Sequence, residues 1–181
     1  MNIGSISTGS KEASITAYEI LKDGGNAIDA AIGAVFTSMM SEYFLTGVGG
    51  GGCAILSMNH SEPKVYDFFV KYPSTIFSEK HEFIKKTVNF GETKQSFHIG
   101  KASVGVPGTL KGLVAIHAKY GKIPFEVLLN PAIEYAKNGV SINKSQAYVI
   151  KILEPIINHF KLNREIFYNK NLLLNENDSF K

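Results

Sequence analysis

Residues 27–40, AIDAAIGAVFTSMM, are apolar on almost every face of the helix that their spacing predicts. Ile28, Ala31, Ile32, Val35, Phe36 and Met39 leave no polar stripe for water, so this helix must lie inside the fold. It is too short to cross a bilayer, which needs about 20 residues. A buried helix needs material on more than one side. A length of 181 residues can supply it, and 44% hydrophobic against 19% charged residues places the chain among globular proteins.

The neighbours of this helix can be read in order. In SKEASITAYEILKDGG, Ala13, Ala17, Ile20 and Leu21 fall at helical spacing, and Gly24 and Gly25 can end that helix. Asn26 caps the buried helix, with Asp29 in its first turn where the helix dipole favours a negative charge. After it, GVGGGG at 47–52 has five glycines in six positions. Two strands follow: CAILSM, a continuous apolar run expected to be covered on both faces, and KVYDFFV after the NHSEP turn, able to pair with it as a hairpin.

Residues 71–94 read as a long polar, lysine-rich loop, with short strands at SFHIG and ASVGV beyond it. Pro107 and Gly108 turn into a helix over Thr109–Tyr120, with Leu110, Leu113, Val114 and Ala118 as its inner face and Gly121 as its stop. Pro124 and Pro131 suit first helical turns, and NPAIEYAKNG reads as a short helix capped by Asn130 and ended by Gly139. A last helix over 144–160 is broken or kinked near Pro155. The tail NKNLLLNENDSFK is polar, with no structural stop.

Several function classes drop out. The net charge of +3 is spread thinly, and its densest stretch, Lys80 to Lys86, contains Glu82, so no nucleic-acid surface is expected. The single Cys53 excludes an internal disulfide framework and a cysteine-based zinc site. It reads as a small buried hydrophobe. His60, His81, His98, His117 and His159 stand singly, without metal-ligand spacing; His98 and His117 read as packed or surface residues. No metal or other cofactor is implied. Tyr120 and Tyr135 read as core. MNIGSISTGS lacks a basic region followed by an apolar run, so the expectation is a cytoplasmic protein without a membrane anchor.

The glycine run invites a phosphate-cradle reading, but its context is wrong. A phosphate loop needs a lysine and a hydroxyl residue opening a helix after the glycines. Here Cys53-Ala54-Ile55 open a strand. A dinucleotide fingerprint needs strand, glycines, helix, and the order here is reversed. Two readings stay open: a tight helix-to-strand connection where backbone passes close to backbone, or a turn whose bare N–H groups hold an anion.

GGNAIDAA, then GVGGGG before an apolar strand, then GVPGTLKGL, then YGKIPFEVLLNPAIEYAKNGVSIN together resemble the gamma-glutamyltranspeptidase family. The likeness covers roughly residues 4 to 150 in four blocks of the right order. It implies an α+β N-terminal nucleophile hydrolase with a four-layer αββα sandwich. In that family a precursor cuts itself into two subunits. The freed N-terminal threonine of the small subunit attacks the gamma-glutamyl amide with its own amine as base, and a glycine pair holds the oxyanion. The chain resembles only the front of the large subunit, so no catalytic residue carries over. The resemblance implies a single incomplete domain over 1–181. Its partners would be a C-terminal threonine-bearing part and a small-molecule amide substrate. The glycine run is then a close-packed scaffold turn near the substrate end, not the oxyanion hole.

One departure bears on substrate. Members of the family carry an arginine after the second strand, in a pattern like Asp-Phe-Arg with a proline soon after, and it grips the substrate alpha-carboxylate. Here the stretch is YDFFVKYP: Asp67, Phe68 and Pro73 fit, and Phe69 stands at the arginine position. Lys71 would share its face in an extended segment, either replacing the charge or simply solvated. Asp67 is a pocket residue or a partner for nearby backbone N–H groups. The substrate-binding candidates are thus Asp67, Phe69 and Lys71. Glutathione is in doubt as substrate. The alternatives to a transferase segment are an inactive remnant or a binding module.

Overall fold

The structure, a computed structural model, describes residues 4–58, 61–74 and 82–181. His60, His81, Lys80 and part of the NHSEP turn lie outside the described residues. The chain divides into two compact units, Met1–Tyr72 with Val106–Asn138, and Pro73–Gly105 with Gly139–Lys181.

Unit 1 is built around the apolar helix. Helix α1 (Lys11–Lys22) starts at Ser10, whose hydroxyl accepts from the Ala13 N–H. It ends as the glycine pair requires. The Gly25 N–H donates to the Ile20 carbonyl at 2.9 Å and the Gly24 N–H to the Leu21 carbonyl at 3.1 Å, with Gly24 at φ +91°. Helix α2 (Ala27–Ser41) opens with a reciprocal capping box between Asn26 and Asp29. Ile28, Ala30, Ile32, Ala34, Phe36 and Met39 are buried along it, so it is the inner helix its composition demands. Helices α1, α3 (Thr109–Tyr120) and α4 (Phe125–Asn138) pack against it. Gly33 lets α1 close in, because a Cβ there would strike the Ile20 side chain. The hydroxyls of Thr16 and Thr37 satisfy each other at 2.9 Å inside the α1–α2 contact.

Strands β1 (Cys53–Leu56) and β2 (Lys64–Asp67) form the expected antiparallel hairpin, with Cys53 opposite Asp67 and Ile55 opposite Val65. Ala54, Leu56 and Tyr66 face the helical core. Cys53, Ile55, Val65 and Asp67 face out and are exposed. Two expectations are corrected here. CAILSM is covered on one face only, and Cys53 is exposed, because the two-residue period of a strand packed on one side turns every second residue to solvent.

The inner face of α3 also differs. Thr109, Leu113 and Ile116 are buried, while Leu110 and Val114 are about half exposed and Ala118 is exposed. Both stripes satisfy helical periodicity. The ring of Phe68 selects the observed one by lying on Gly112, where a Cβ would collide with it. Helix α4 starts earlier than expected, and Asn130 is not its cap: the helix runs from Phe125 through Pro131. Leu128 and Ala132, four apart and buried, hold one face across the proline.

Unit 2 departs further from expectation. The presumed loop contains β3 (Ile84–Asn89), which pairs antiparallel with β4 (Lys94–Ile99). Lysines at 85 and 86 mask the alternation, yet Ile84, Lys86 and Val88 turn inward and Val88 is fully buried. SFHIG is the end of β4 as expected. ASVGV is not a strand: Lys101–Ser103 form a 3-10 turn, and in unit 1 Val106 makes a single bridge to Lys71. Helix α5 (Lys144–Ile157) starts with an Asn143–Gln146 capping box, passes through Pro155 and packs on β3. Helix α6 (Lys161–Phe167) follows.

The polar tail folds back. Strands β6 (Tyr168–Asn169) and β7 (Leu172–Leu173) form a tight hairpin, and β8 (Ser179–Phe180) pairs with β5 (Val140–Ser141). Leu174 is buried beneath it. Among the described residues no helix is long and apolar enough to cross a membrane.

Candidate functional site

The glycine run forms a junction of three backbone segments. The Gly50 carbonyl accepts from the Gly108 N–H at 3.0 Å and the Thr109 N–H at 3.2 Å. Gly52 and Phe68 exchange both backbone hydrogen bonds, at 3.3 and 3.0 Å. A Cβ on Gly51 would run into the Phe69–Val70 peptide, and one on Gly108 into the Phe68 carbonyl. This is the close-approach reading of the run. The Gly50 carbonyl thus takes up the first two N–H groups at the start of α3.

Beyond β2 the chain stays extended, and burial alternates over residues 66–71: Tyr66, Phe68 and Val70 turn inward, Asp67, Phe69 and Lys71 outward. All three sequence-chosen residues therefore share one exposed face beside the glycine junction. The Asp67 carboxylate accepts from the Phe69 N–H at 3.0 Å, a local turn that fixes the backbone between them. Phe69 is 67% exposed. Lys71 is pinned through its backbone, exchanging hydrogen bonds with Val106 at 3.2 and 2.8 Å, and it too is exposed. The turn leading into the glycines encloses a concavity of about 310 Å³ lined by Tyr43, Thr46, Gly47 and Gly50, among others. Burial pushes the Tyr43 phenol well above its ordinary range.

Sequence reasoning missed two polar clusters. Asp29 is fully buried and does more than balance a dipole. Its carboxylate accepts from the Asn26 N–H at 2.9 Å, the Lys122 N–H at 3.0 Å and the Ile123 N–H at 3.4 Å. His117 lies 3.9 Å from it and donates through Nε2 to the Ile123 carbonyl at 2.7 Å. Asp29 thus ties the start of α2 to the α3–α4 loop, a link between distant residues that no local pattern announces. The second cluster joins Tyr66 and Tyr120, whose hydroxyls meet at 3.0 Å. Lys119 and Lys64 lie over the Tyr120 ring at 5.4 and 5.9 Å. The hydroxyl of Tyr66, with the two lysines, lowers the Tyr120 pKa, while donating to Tyr120 raises that of Tyr66. The same Tyr120 contact raises that of Lys119. His98 stacks flat on Phe83 at 4.4 Å, a packed surface histidine.

Comparison with known proteins bears on this arrangement. The profile described as gamma-glutamyltranspeptidase matches residues 13–181. The glutathione hydrolase proenzyme of Pseudomonas aeruginosa is 33% identical over 144 residues, covering 79% of the chain and 25% of the relative. The capsule biosynthesis protein CapD proenzyme of Bacillus anthracis is 32% identical over 150 residues, covering 83% and 24%. Among solved structures, Helicobacter pylori gamma-glutamyltranspeptidase aligns with a TM-score of 0.83 at 28% identity, over 99% of this chain and 51% of that one. The chain therefore spans about a quarter of these curated relatives' length and half of the solved chain.

Helices with short sheets in this arrangement make a partial α+β fold of the N-terminal nucleophile hydrolase class. The chain belongs to the gamma-glutamyltranspeptidase family and corresponds to the N-terminal part of its large subunit.

Proposed function

We propose that the chain is the front part of one larger domain of a gamma-glutamyltransferase-like enzyme. It acts on gamma-glutamyl-type amides only when joined to a threonine-bearing part. The single observation that carries this reading is the family match over residues 13–181. The open outer face of the β1–β2 hairpin supports it: Ile55 and Val65 stand 71% and 69% exposed, an apolar pair suited to being covered by further protein.

In this reading Asp67, Phe69 and Lys71 border the place where the substrate carries its alpha-carboxylate. Phe69 offers a ring where relatives offer a guanidinium, and the Asp67–Phe69 turn fixes the backbone that carries it. A carboxylate beside the ring keeps its charge-assisted partner only if Lys71 reaches it. The enzyme then prefers acyl groups whose alpha-carboxylate is absent or masked.

The test compares two preparations on a gamma-glutamyl chromogenic amide. The 181-residue chain alone should release no more chromophore than buffer. The chain joined to its threonine-bearing continuation should turn the amide over. Turnover by the isolated chain that survives repurification would overturn the reading. So would a correctly processed, folded joined protein that stays inert with every amide offered, which is the behaviour of a remnant.

A further inference from the structure

Unit 2 holds a wide polar cavity of about 750 Å³ at the end of α5, along α6 and beside the β6–β7 turn. Lys161, Arg164 and Lys170 line it together with Glu154 and Glu165. Both acids already have partners. Glu154 accepts the Tyr168 hydroxyl at 2.9 Å, and Glu165 lies 3.7 Å from the Lys161 ammonium. Burial, followed by the Glu154 hydrogen bond and charge, raises the Tyr168 pKa, so its hydroxyl keeps the proton it donates. Among the described residues, Arg164 and Lys170 enter no ion pair. Lys170 also sits at φ +47° in the two-residue turn, followed by Asn171 at +66°. Such turns favour Asn and Gly, and a lysine there holds a left-handed backbone that side chains disfavour.

The charges select a ligand. With Glu154 taken up by Tyr168, the cavity offers a ligand the Arg164 and Lys170 cations and, close by, the loosely paired Glu165 carboxylate. A planar guanidinium fork fits a carboxylate through two parallel hydrogen bonds. Glu165 is held only by a 92% exposed lysine, a loose pair that a ligand ammonium can displace. We propose that this cavity binds a small zwitterion of the amino-acid type, with its carboxylate on Arg164 beside Lys170 and its ammonium on Glu165. The proposal rests on unit 2 alone and not on the transfer reaction.

The test is a titration of L-glutamine into the isotope-labelled 181-residue chain, followed by amide shifts. Saturable shifts over residues 158–171 are expected. Arg164→Gln should weaken them about tenfold or more, and Arg164→Lys by an intermediate amount, because a lysine keeps the charge and loses the fork. Arg164 is exposed, and an unchanged far-ultraviolet spectrum will show that these variants fold. Lys22→Gln, in unit 1, should leave these shifts unaltered. The proposal fails if no amide of this stretch saturates at millimolar glutamine. It fails equally if Arg164→Gln binds as wild type does, or if inorganic phosphate saturates the same amides at lower concentration.

Discussion

Unit 1 is knit by close approaches of backbone to backbone around one continuous core; unit 2 is closed by short strand pairs and a helix laid on a hairpin. In unit 1 the glycines at 50, 51 and 108 bring three strands of main chain into hydrogen-bonding contact, and Gly33 brings α1 down onto α2. Its core is continuous, from Ala13 and Ile32 to Leu128. In unit 2, α5 lays Ile150 against a hairpin carrying Val88, and two-residue strands close the end of the chain onto Val140. At Gly51 and Gly108 the backbone contact leaves no room for an added carbon. The packing of unit 2 tolerates change at most surface positions and fails when an anchor is removed.

The largest effect should come from the buried carboxylate of unit 1. Asp29→Ala leaves the N–H groups of Asn26, Lys122 and Ile123 without their acceptor. The expected loss is about 3–5 kcal/mol, because charge-assisted hydrogen bonds contribute ~1.5–3 kcal/mol each and several fail together. Asp29→Asn keeps one acceptor oxygen and should lose about half as much. Urea denaturation measures the loss, and hydrogen exchange locates it. Protection should fall in unit 1 and hold in unit 2. An equal fall in both would mean that the units unfold as one and that the contrast between them is only architectural.

The glycine run offers a sharper comparison within one turn. Gly51→Ala drives a methyl into the Phe69–Val70 peptide and should cost about 2–3 kcal/mol, the upper range for overpacking. At Gly49 a Cβ would meet nothing within 4 Å, so Gly49→Ala should stay within about 0.5 kcal/mol of wild type. Thermal melts of the two variants decide it. Equal losses would show that the run needs flexibility at every position, and the close-approach account would be wrong.

How much of this was legible follows the sequence span of each contact. The boundaries of α2 and α3 could be read because Asn26, Gly108 and Gly121 are local signals, and the demand that α2 be buried needed only its composition. That Lys71 shares the face of Phe69 followed from simple alternation, whereas Asp67 and Phe69 were singled out by the resemblance. The buried role of Asp29 could not be read, since its partners at Lys122 and Ile123 are distant in sequence. The hairpin of β3 and β4 was hidden by lysines on a strand whose inner positions still alternate. Strands as short as β5 to β8 have no period to detect; pairing of Val140 with Phe180 is a tertiary fact.

That last point yields a prediction of about 2 kcal/mol for Leu174→Ala, the low end for a buried leucine because the residue keeps 8% of its surface exposed. The variant should free the tail to limited proteolysis while the exchange of α2 amides stays at the wild-type rate. An uncleaved tail would show that β8 is held without the leucine.

The smallest effect concerns recognition rather than stability, and it needs the chain joined to its threonine-bearing part. Phe69 is exposed and sits in a backbone turn closed by Asp67, so an arginine can replace it without disturbing the core. A guanidinium there would regain a fork for the substrate alpha-carboxylate, and an exposed fork belongs at the low end of its range, about 1.4 kcal/mol or tenfold. Phe69→Arg should therefore raise kcat/KM for glutathione about tenfold and leave its alpha-amide analogue unchanged, because the amide carries no charge to grip. Lys71→Ala separates the remaining possibilities. If it lowers wild-type turnover of glutathione and spares the amide, Lys71 supplies the missing charge from the same face. If wild type already prefers the free carboxylate strongly, and Lys71→Ala leaves that preference intact, neither residue sets specificity and the carboxylate binds elsewhere than beside the glycine junction.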